Sequence, residues 1–426
     1  MNRIKRNIVS RNCLILSILC SLLLLTNCGK DTATSPNTIK FWHFWSEPNQ
    51  KGALKELIEK FEVANNCKVE LTELSWNDGK TKLIAAFNTM NSGSNTAAPD
   101  VIELGSDWVA QFSSTGVLAE LNKDSMGYDN FLDYSIPPTM YDNKFYAVPW
   151  IVDTRVMFYN KELMHNAGLQ EIAPRTYTEL LTYSNKINLP NSGIYGFGAN
   201  GSDPHRLYKK ILPMIWTYGG DIFDNNFIPT INSTKNTEAL NTYLQLSRVG
   251  MIETQRQIDA MFTQGKIGFV FSGAWLLEKI RNENPALQFG VASIPTVDTT
   301  SKIGGISFLG CEYLAISKNS EKKDLAIKLI KYLSDGNNAL ELSKRFAEAG
   351  FPADKHYFNN EYFMQDTMKQ VFAHQLAHSK ATPVHPQWLE IETILEDAVS
   401  KALYGEADAF GSLNNAQVEV LKLLSK

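Results

Sequence analysis

Two kinds of hydrophobic pattern alternate along the first part of the chain. Short apolar runs predict three strands, at residues 39–45, 68–74 and 100–104. After the first strand, apolar residues recur at the spacing of one helix face: Leu54, Leu57, Ile58 and Phe61. We expect Ser46 to cap this helix and Pro48 to open it, and a second helix is predicted around residues 83–87. This order of elements predicts a mainly parallel sheet with helices on both faces, whose ligands bind beyond the carboxyl ends of the strands.

A second set of strands alternates with helical stretches further along the chain. The runs at residues 156–159, 195–199, 267–272 and 289–293 predict a second α/β lobe. After a strand at residues 311–316 the pattern is almost wholly helical, with amphipathic stretches at 321–333, 337–346, 387–404 and 414–424.

The start of the chain has the pattern of an export signal. Four basic residues precede an apolar run at residues 13–25, which is shorter than the ~20 apolar residues that span a bilayer. Cys28 follows Leu25-Thr26-Asn27, an arrangement that resembles the bacterial lipoprotein signal. The resemblance implies that residues 1–27 are removed and that Cys28 carries the lipid, although the family usually has Gly, Ala or Ser where this chain has Asn27. Ordinary signal cleavage and an uncleaved anchor are the alternatives.

Charge and cysteine content narrow the class of protein. The net charge of −4 becomes about −8 without residues 1–27, so nucleic acid is not an expected partner. Cys67 and Cys311 lie far apart, and the sequence does not decide whether they pair. With no disulfide framework, an exported chain of this length needs a large hydrophobic core, which we expect to be divided between two lobes.

One glycine-rich segment has the spacing of a dinucleotide-binding fingerprint, from Gly196 to Gly201. Its glycines interrupt a predicted strand instead of following it, and Pro204 and Pro213 disturb the helix that would hold a pyrophosphate. We therefore expect no nucleotide and no other cofactor.

Aromatic residues, carboxylates and glycines cluster where predicted strands end. These groups contain Trp45 with Ser46 and Glu47, Asp107 with Trp108, Trp216 with Asp221, and Trp275 after Ser272-Gly273-Ala274. A sugar presents C–H faces that stack on an indole and hydroxyls that donate to carboxylates. The pattern therefore favours carbohydrate binding, although any one tryptophan can equally belong to the core.

The segment from Val148 to Leu163, followed by Pro174 to Leu180, resembles the hinge and entry region of the solute-binding proteins of carbohydrate ABC importers, the maltose-binding-protein-like family. Further matching segments follow in the family's order along the mature chain. They are Pro99 to Ile102, Gly116 to Leu118, Gly219-Gly220, Ser272 to Trp275 and Tyr404 to Glu406.

The resemblance implies a set of ligand contacts on matching positions. These are Trp45, Ser46, Glu47, Asp107, Trp108, Asp153, Arg155, Trp216 and Trp275, with Trp388 as a looser candidate. Two positions depart from maltose-type members. Ser46-Glu47 stands where they have an acidic and then a basic residue, and Trp108 stands where they have a basic one. We therefore expect a ligand other than maltose, with a disaccharide or oligosaccharide favoured.

The resemblance also implies the type II periplasmic-binding-protein fold, in which each of two hinged lobes has a mainly parallel sheet flanked by helices and the C-terminal region is helical. We expect residues 28–38 to form a tether. Lobe 1 would combine residues 39–150 with 303–345, and lobe 2 would combine 151–302 with 346–426. The hinge crossings are expected near residues 149–153, 303–307 and 345–352.

The implied mechanism is capture of a solute between the lobes, with no bond made or broken. The closed protein would deliver its ligand to a membrane permease driven by an ATPase. The lipid on Cys28 would hold a monomer at the periplasmic or extracellular face of the cell membrane.

Three other functions stay open. Within the same family, the ligand could be a glycerol-phosphate-type or other small polar solute. A lipid-anchored glycoside hydrolase would also use tryptophans and a pair of carboxylates. A surface adhesin that recognises a protein would bind no small ligand.

Overall fold

The computed structural model describes residues 37–76, 78–91, 98–201, 203–300 and 304–425. The predicted signal peptide, Cys28 and most of the tether lie outside these ranges, as does position 303 of the predicted second crossing. Within the described ranges, every helix is too short or too polar to cross a membrane.

The described residues form strands of two to ten residues and helices of four to eighteen residues. The strands are β1 (Thr38–His43), β2 (Lys68–Glu73), β3 (Val101–Gly105), β4 (Met140–Tyr141), β5 (Lys144–Phe145), β6 (Ala147–Thr154), β7 (Val156–Asn160), β8 (Tyr195–Asn200), β9 (Gly250–Glu253), β10 (Ile267–Ser272), β11 (Phe289–Ala292), β12 (Ser307–Ile316), β13 (Phe351–Pro352) and β14 (Ser379–Lys380). The helices are α1 (Pro48–Asn65), α2 (Gly79–Asn91), α3 (Val109–Ser114), α4 (Lys123–Met126), α5 (Lys161–Asn166), α6 (Tyr177–Ile187), α7 (Tyr208–Thr217), α8 (Thr234–Arg248), α9 (Gln255–Thr263), α10 (Trp275–Glu283), α11 (Lys323–Ser334), α12 (Gly336–Arg345), α13 (Glu361–Met364), α14 (Thr367–Leu376), α15 (Trp388–Leu403) and α16 (Ala409–Leu424).

The first sheet has the strand order β13-β6-β12-β3-β1-β2, and β14 adds to β12. Strand β1 runs parallel to β2 and β3, as the β-α-β-α-β pattern predicts. Strand β12 runs antiparallel to both β3 and β6, and β13 runs antiparallel to β6. The predicted parallel arrangement is confirmed for β1, β2 and β3, and β6 runs in the same direction. Strands β12, β13 and β14 run in the opposite direction, so the sheet is mixed.

The second sheet has the order β11-β7-β10-β8-β9. Strand β8 is parallel to β9 and β10, whereas β7 is antiparallel to β10 and β11, so this sheet is also mixed. The glycine-rich segment lies inside β8 and pairs on both sides, which agrees with a strand and not with a phosphate-binding loop.

The chain passes from the first sheet to the second between β6 and β7, where Arg155 is the single residue between the two strands. It returns to the first sheet at β12, and Ser307 Oγ at the start of that strand donates to the carbonyl of Arg155 at 2.7 Å. Buried side chains form two large clusters. The first covers the first sheet and extends to β7 and β10, and the second packs the rest of the second sheet against the C-terminal helices. The exact lobe boundaries stay a prediction.

Helix α1 begins differently from the expected pattern. Its N-cap is Glu47, not Ser46, and Pro48 occupies the first helical position. The backbone N–H of Glu47 donates to the side chain of Gln50 at 3.1 Å, so a side chain inside the first turn replaces the serine cap. Cys67 and Cys311 are both buried free thiols.

Candidate functional site

A cleft with a volume of about 480 Å³ lies between elements of the two sheets. The strands β1 and β3 end at it, the turn at Arg155 crosses it, and α7 and the start of α10 face it from the second sheet. Its volume lies within the range of ligand-binding cavities. The structure brings eight of the predicted contacts to this cleft: Trp45, Ser46, Glu47, Asp107, Trp108, Asp153, Arg155 and Trp275.

Two predicted contacts lie outside the cleft lining and need correction. Trp388 is 0% exposed at the start of α15, where its ring packs edge-on against Tyr208 at 6.2 Å. Trp216 is buried in the second cluster, and its Nε1 donates to Asp221 at 3.1 Å. Both are core tryptophans, because helix packing and ligand stacking use the same residue type in similar sequence surroundings.

Trp275 is a half-buried aromatic surface held from two directions. Its Nε1 donates to Asp259 Oδ2 at 2.8 Å, and the Arg155 guanidinium lies 4.7 Å from the centre of its ring. Asp259 is itself buried and also accepts from Ser272 at 2.9 Å and Gln255 at 2.7 Å. These contacts fix the orientation of the indole, as a stacking surface for a ligand requires.

A second aromatic group, which we call the aromatic cluster, consists of Phe44, Trp76 and Trp108. The rings of Phe44 and Trp76 stack at 4.1 Å and 19°, and the centres of Trp76 and Trp108 are 5.5 Å apart. Within the cluster, Trp108 is buried, whereas Trp76 is half-buried and lines the cleft. Our list of predicted contacts omits Trp76, although it follows the end of β2 just as the listed tryptophans follow other strands.

The acidic wall is the part of the cleft formed by elements of the first sheet. The acidic and basic residues that it contributes to the cleft lining are all Asp or Glu: Glu47, Glu103, Asp107, Asp153 and Glu312. Glycine at position 310 leaves room for the Asp153 side chain, because a Cβ there would lie 1.7 Å from an oxygen of Asp153 and would force that side chain to move. The sequence did not single out Glu103 and Glu312, because both lie inside strands that are otherwise apolar.

Glu103 is 0% exposed and accepts a hydrogen bond from the Phe44 backbone N–H at 2.8 Å. Burial raises its pKa to about 8. Burial, followed by the charge of Glu103, also raises the pKa of Glu312. These carboxyl groups therefore hold protons at a pH where exposed ones have lost them.

The basic wall lies opposite the acidic wall. It is formed by Arg155, between β6 and β7, and by the segment from the end of β8 to the first turn of α7. Its titratable residues in the lining are Arg155, His205, Arg206, Lys209 and Lys210. Lys210 is buried, and its Nζ donates to the Phe271 carbonyl at 2.8 Å. Burial, followed by the charge of Arg155, lowers the pKa of Lys210 to about 7.

Two contacts connect the walls. Arg155 Nη1 lies 2.5 Å from an oxygen of Asp153. The Tyr208 hydroxyl donates to Asp107 Oδ2 at 3.3 Å. Among the described residues, no group of three or more His, Cys, Asp or Glu side chains is arranged to hold a metal ion. The cleft thus combines aromatic faces with acceptors on one side and donors on the other.

Residues 45–335 match the family described as bacterial extracellular solute-binding protein. The chain belongs to this family. A galactooligosaccharide-binding protein of Bacillus subtilis is 25% identical over 414 residues, which covers 92% of each chain. The diacetylchitobiose binding protein DasA of Streptomyces coelicolor is 29% identical over 359 residues, covering 79% of this chain and 78% of DasA.

Solved structures of other solute-binding proteins share the fold. One from Thermotoga lettingae, bound with alpha-D-tagatose, superposes with a TM-score of 0.80 at 23% identity and covers 91% of this chain and 100% of its own. Maltose-bound MalE3 of T. maritima gives a TM-score of 0.78 at 21% identity, covering 91% and 99%. The predicted two-lobe fold of solute-binding proteins is confirmed.

Proposed function

We propose that this solute-binding protein captures a carbohydrate of two or more sugar units in the cleft and delivers it to the permease of an ABC importer. The observation that carries the proposal is the pairing of fixed aromatic faces, Trp275 and the aromatic cluster, with carboxylates on one wall and cations on the other. A sugar hydroxyl both donates and accepts, so it can use both walls. Two relatives reported above are named for binding a galactooligosaccharide and diacetylchitobiose. These names support an oligosaccharide as the ligand.

Thermal unfolding with a ligand panel tests this function. The panel contains galactotriose, diacetylchitobiose, maltotriose, tagatose, glycerol 3-phosphate and several amino acids. A ligand at about 100 times its dissociation constant adds roughly 2.7 kcal/mol to the free energy of unfolding. We expect at least one oligosaccharide to stabilise the protein and the amino acids to have no effect.

Two variants locate the binding site. Trp275→Ala should abolish the stabilisation by the saccharide, because it removes an aromatic surface fixed at the cleft. Trp216→Phe is the matched control, since Trp216 is a buried tryptophan outside the cleft lining. An undiminished response in Trp275→Ala would place the ligand elsewhere, and a panel without any saccharide response would overturn carbohydrate binding.

The basic wall favours a second candidate, an anionic solute of the glycerol-phosphate type. Arg155 and Lys209 lie at the cleft, and cations of this kind bind phosphate. Stabilisation by glycerol 3-phosphate, lost in Arg155→Met, would replace the first proposal with this one. Retention of the oligosaccharide response in excess phosphate would argue against it.

We further propose that the protein binds its saccharide without hydrolysing it. The family is one of binding proteins. Chromatography of a bound oligosaccharide after prolonged incubation should return it intact. Release of shorter sugars by the purified protein, but not by Glu103→Gln or Asp107→Asn, would instead establish a glycoside hydrolase.

Lipidation of Cys28 is a separate proposal that rests on the sequence pattern alone. Mass spectrometry of the mature N-terminus should find a diacylglycerol on Cys28, and Cys28→Ala should move the protein from the membrane fraction to the soluble fraction. A membrane fraction that keeps the variant would point to an uncleaved apolar anchor.

A further inference from the structure

His205 occupies an unusual backbone conformation at the edge of the cleft. Its φ is +63°, in the left-handed region that residues other than glycine rarely adopt. The residue lines the cleft on the basic wall, and its side chain is 34% exposed. Such backbone geometry persists only where surrounding contacts enforce it, and it often marks a functional position.

Two carboxylates one turn apart on α15 enforce this conformation. Glu396 accepts from the backbone N–H of His205 at 3.0 Å through one oxygen and from the N–H of Tyr208 at 3.1 Å through the other. Glu392 Oε1 lies 2.5 Å from His205 Nδ1. The helix is almost two hundred residues away in sequence, yet it holds both the backbone and the ring of His205.

The burial of Glu392 has a cost in free energy that its contacts must compensate. Its side chain is 0% exposed, and its second oxygen is buried with no hydrogen-bond partner among the described residues. Burying a carboxylate costs several kcal/mol unless its interactions compensate. The Glu392 carboxylate fixes Nδ1 of His205, whose partly exposed ring lines the cleft.

We propose that His205 contacts the captured ligand through Nε2, and that Glu392 is a positioning residue that fixes the ring. The inference rests on the proposed function and adds a specific contact to it. The ligand group that it selects is a hydrogen-bond acceptor, such as a ring, glycosidic or hydroxyl oxygen of the sugar.

The proton count of the pair makes Nε2 a donor. When the pair holds the proton of an imidazolium, Nε2 carries a hydrogen whichever partner holds the proton between Nδ1 and Oε1. When that proton is lost, Nδ1–H faces Glu392 and Nε2 can only accept. The hydrogen bond with Glu392 raises the pKa of His205, so the donor form extends toward neutral pH.

Other charges act on the same ring. Glu392 and Glu396 face it from α15, Asp107 acts from the acidic wall, and all three raise the pKa of His205. Arg206 and Lys209 follow it on its own segment and are the nearby cations in the cleft lining. The carboxylates therefore outnumber the cations around His205.

The experiment measures dissociation constants by calorimetry at about pH 6 and about pH 8.5 for galactotriose, diacetylchitobiose and maltotriose. The variants are His205→Asn, which tolerates the left-handed backbone, Glu392→Gln, and His165→Gln as a control on an exposed histidine. We expect His205→Asn to weaken binding about ten-fold near pH 6 and only about two-fold near pH 8.5, because a charge-assisted hydrogen bond is lost only in the acidic condition. Glu392→Gln should give a smaller loss and reduce the pH dependence.

A merely structural histidine would lower the thermal stability of His205→Asn and leave the pH dependence of binding equal to that of the wild type. That result, or wild-type affinity in His205→Asn near pH 6, would overturn the inference while carbohydrate binding stands. If the wild type binds none of the three saccharides, the proposed function fails first and the sugar contact of His205 falls with it.

Discussion

The two walls of the cleft carry opposite charge and are built in different ways. Carboxylates of the acidic wall come from strands and strand ends of the first sheet, whereas cations of the basic wall come from one turn and the start of α7. A hydroxyl-rich ligand would place its donors toward one wall and its acceptors toward the other. The same difference in charge between the walls can therefore orient the ligand and attract the two lobes to each other.

Each wall also contains a deeply buried titratable group whose pKa is shifted by burial. Glu103 on the acidic wall has its pKa raised to about 8, and Lys210 on the basic wall has its pKa lowered to about 7. Desolvation opposes the charged form in both cases. The stability of the two walls should therefore respond to pH in opposite directions.

The largest expected effect comes from Asp259→Ala, which removes an acid from beneath the basic wall. Trp275, Ser272 and Gln255 all donate to Asp259. The charge of Asp259 also partly compensates that of Lys210. We expect the free energy of unfolding, measured with urea, to fall by about 3 kcal/mol.

Asp397→Ala is the control for that variant, because Asp397 is an exposed carboxylate of α15 that forms an ion pair with Lys401, one turn further along the same helix. It should change stability by less than about 0.5 kcal/mol. Equal effects of the two variants would show that the basic wall does not depend on its buried acid.

Glu103→Gln tests the acidic wall. Between about pH 4.5 and pH 8, folded Glu103 keeps a proton that the unfolded chain has lost, so its contribution to stability decreases as pH rises. Glutamine can still accept from the Phe44 N–H. We expect the variant to be more stable by about 2 kcal/mol near pH 7.5 and to lose this dependence on pH, with denaturation followed across the range.

Glu70→Gln, on the exposed outer part of β2, is the matched control. A decrease in stability of Glu103→Gln near pH 7.5 would mean that the ionised form of Glu103 is stabilised in the fold.

Lys210→Met tests the opposite sign on the basic wall. Between about pH 7 and pH 10.5 the unfolded chain holds a proton that folded Lys210 has lost, so its contribution to stability increases as pH rises. Methionine avoids the buried charge but removes the closer of two side-chain donors to the Phe271 carbonyl, which keeps Gln255 Nε2 at 3.4 Å. We expect a net gain of about 1.5 kcal/mol near pH 7, which shrinks toward pH 10.

The comparison fails if Lys210→Met and Glu103→Gln shift the pH profile of stability in the same direction. Lys209→Met, on a half-buried neighbour, is the control for a general change in cleft charge.

The smallest effect is expected for Trp76→Ala in the aromatic cluster. Trp76 is half-buried and stacks on Phe44, so its loss removes one ligand-facing surface but leaves the buried ring of Trp108 in place. We expect saccharide affinity to fall about five-fold, equivalent to ~1 kcal/mol, in calorimetric titration. A loss larger than that of Trp275→Ala would make the acidic wall the main stacking surface.

Local patterns predicted the elements and the parallel pairing of β1 with β2 and β3, but not the antiparallel direction of β12. The helix periodicity of Leu54, Leu57 and Ile58 is a property of neighbouring residues, so α1 follows from it. The antiparallel direction of β12 depends on pairing with β3 and β6, which are both more than 150 residues away in sequence. No short-range pattern contains that information.

The site shows the same division between local and distant information. Asp107 and Trp275 follow strand ends, and that position identified them. Glu103 was not among the predicted contacts, because it lies inside a buried strand whose other residues are apolar. Trp388 was included because the sequence does not distinguish a tryptophan that packs a helix from one that stacks a sugar. His205 depends on a partner helix in another part of the chain.

The relative reactivity of the two buried thiols can be used to follow the opening of the cleft. Cys311 is part of the cleft lining, whereas Cys67 is buried away from it, and burial raises the pKa of both. An alkylating reagent needs an exposed thiolate. We therefore expect opening of the cleft to raise the alkylation rate of Cys311 relative to that of Cys67, and an occupied cleft to slow the reaction of Cys311 while that of Cys67 continues unchanged.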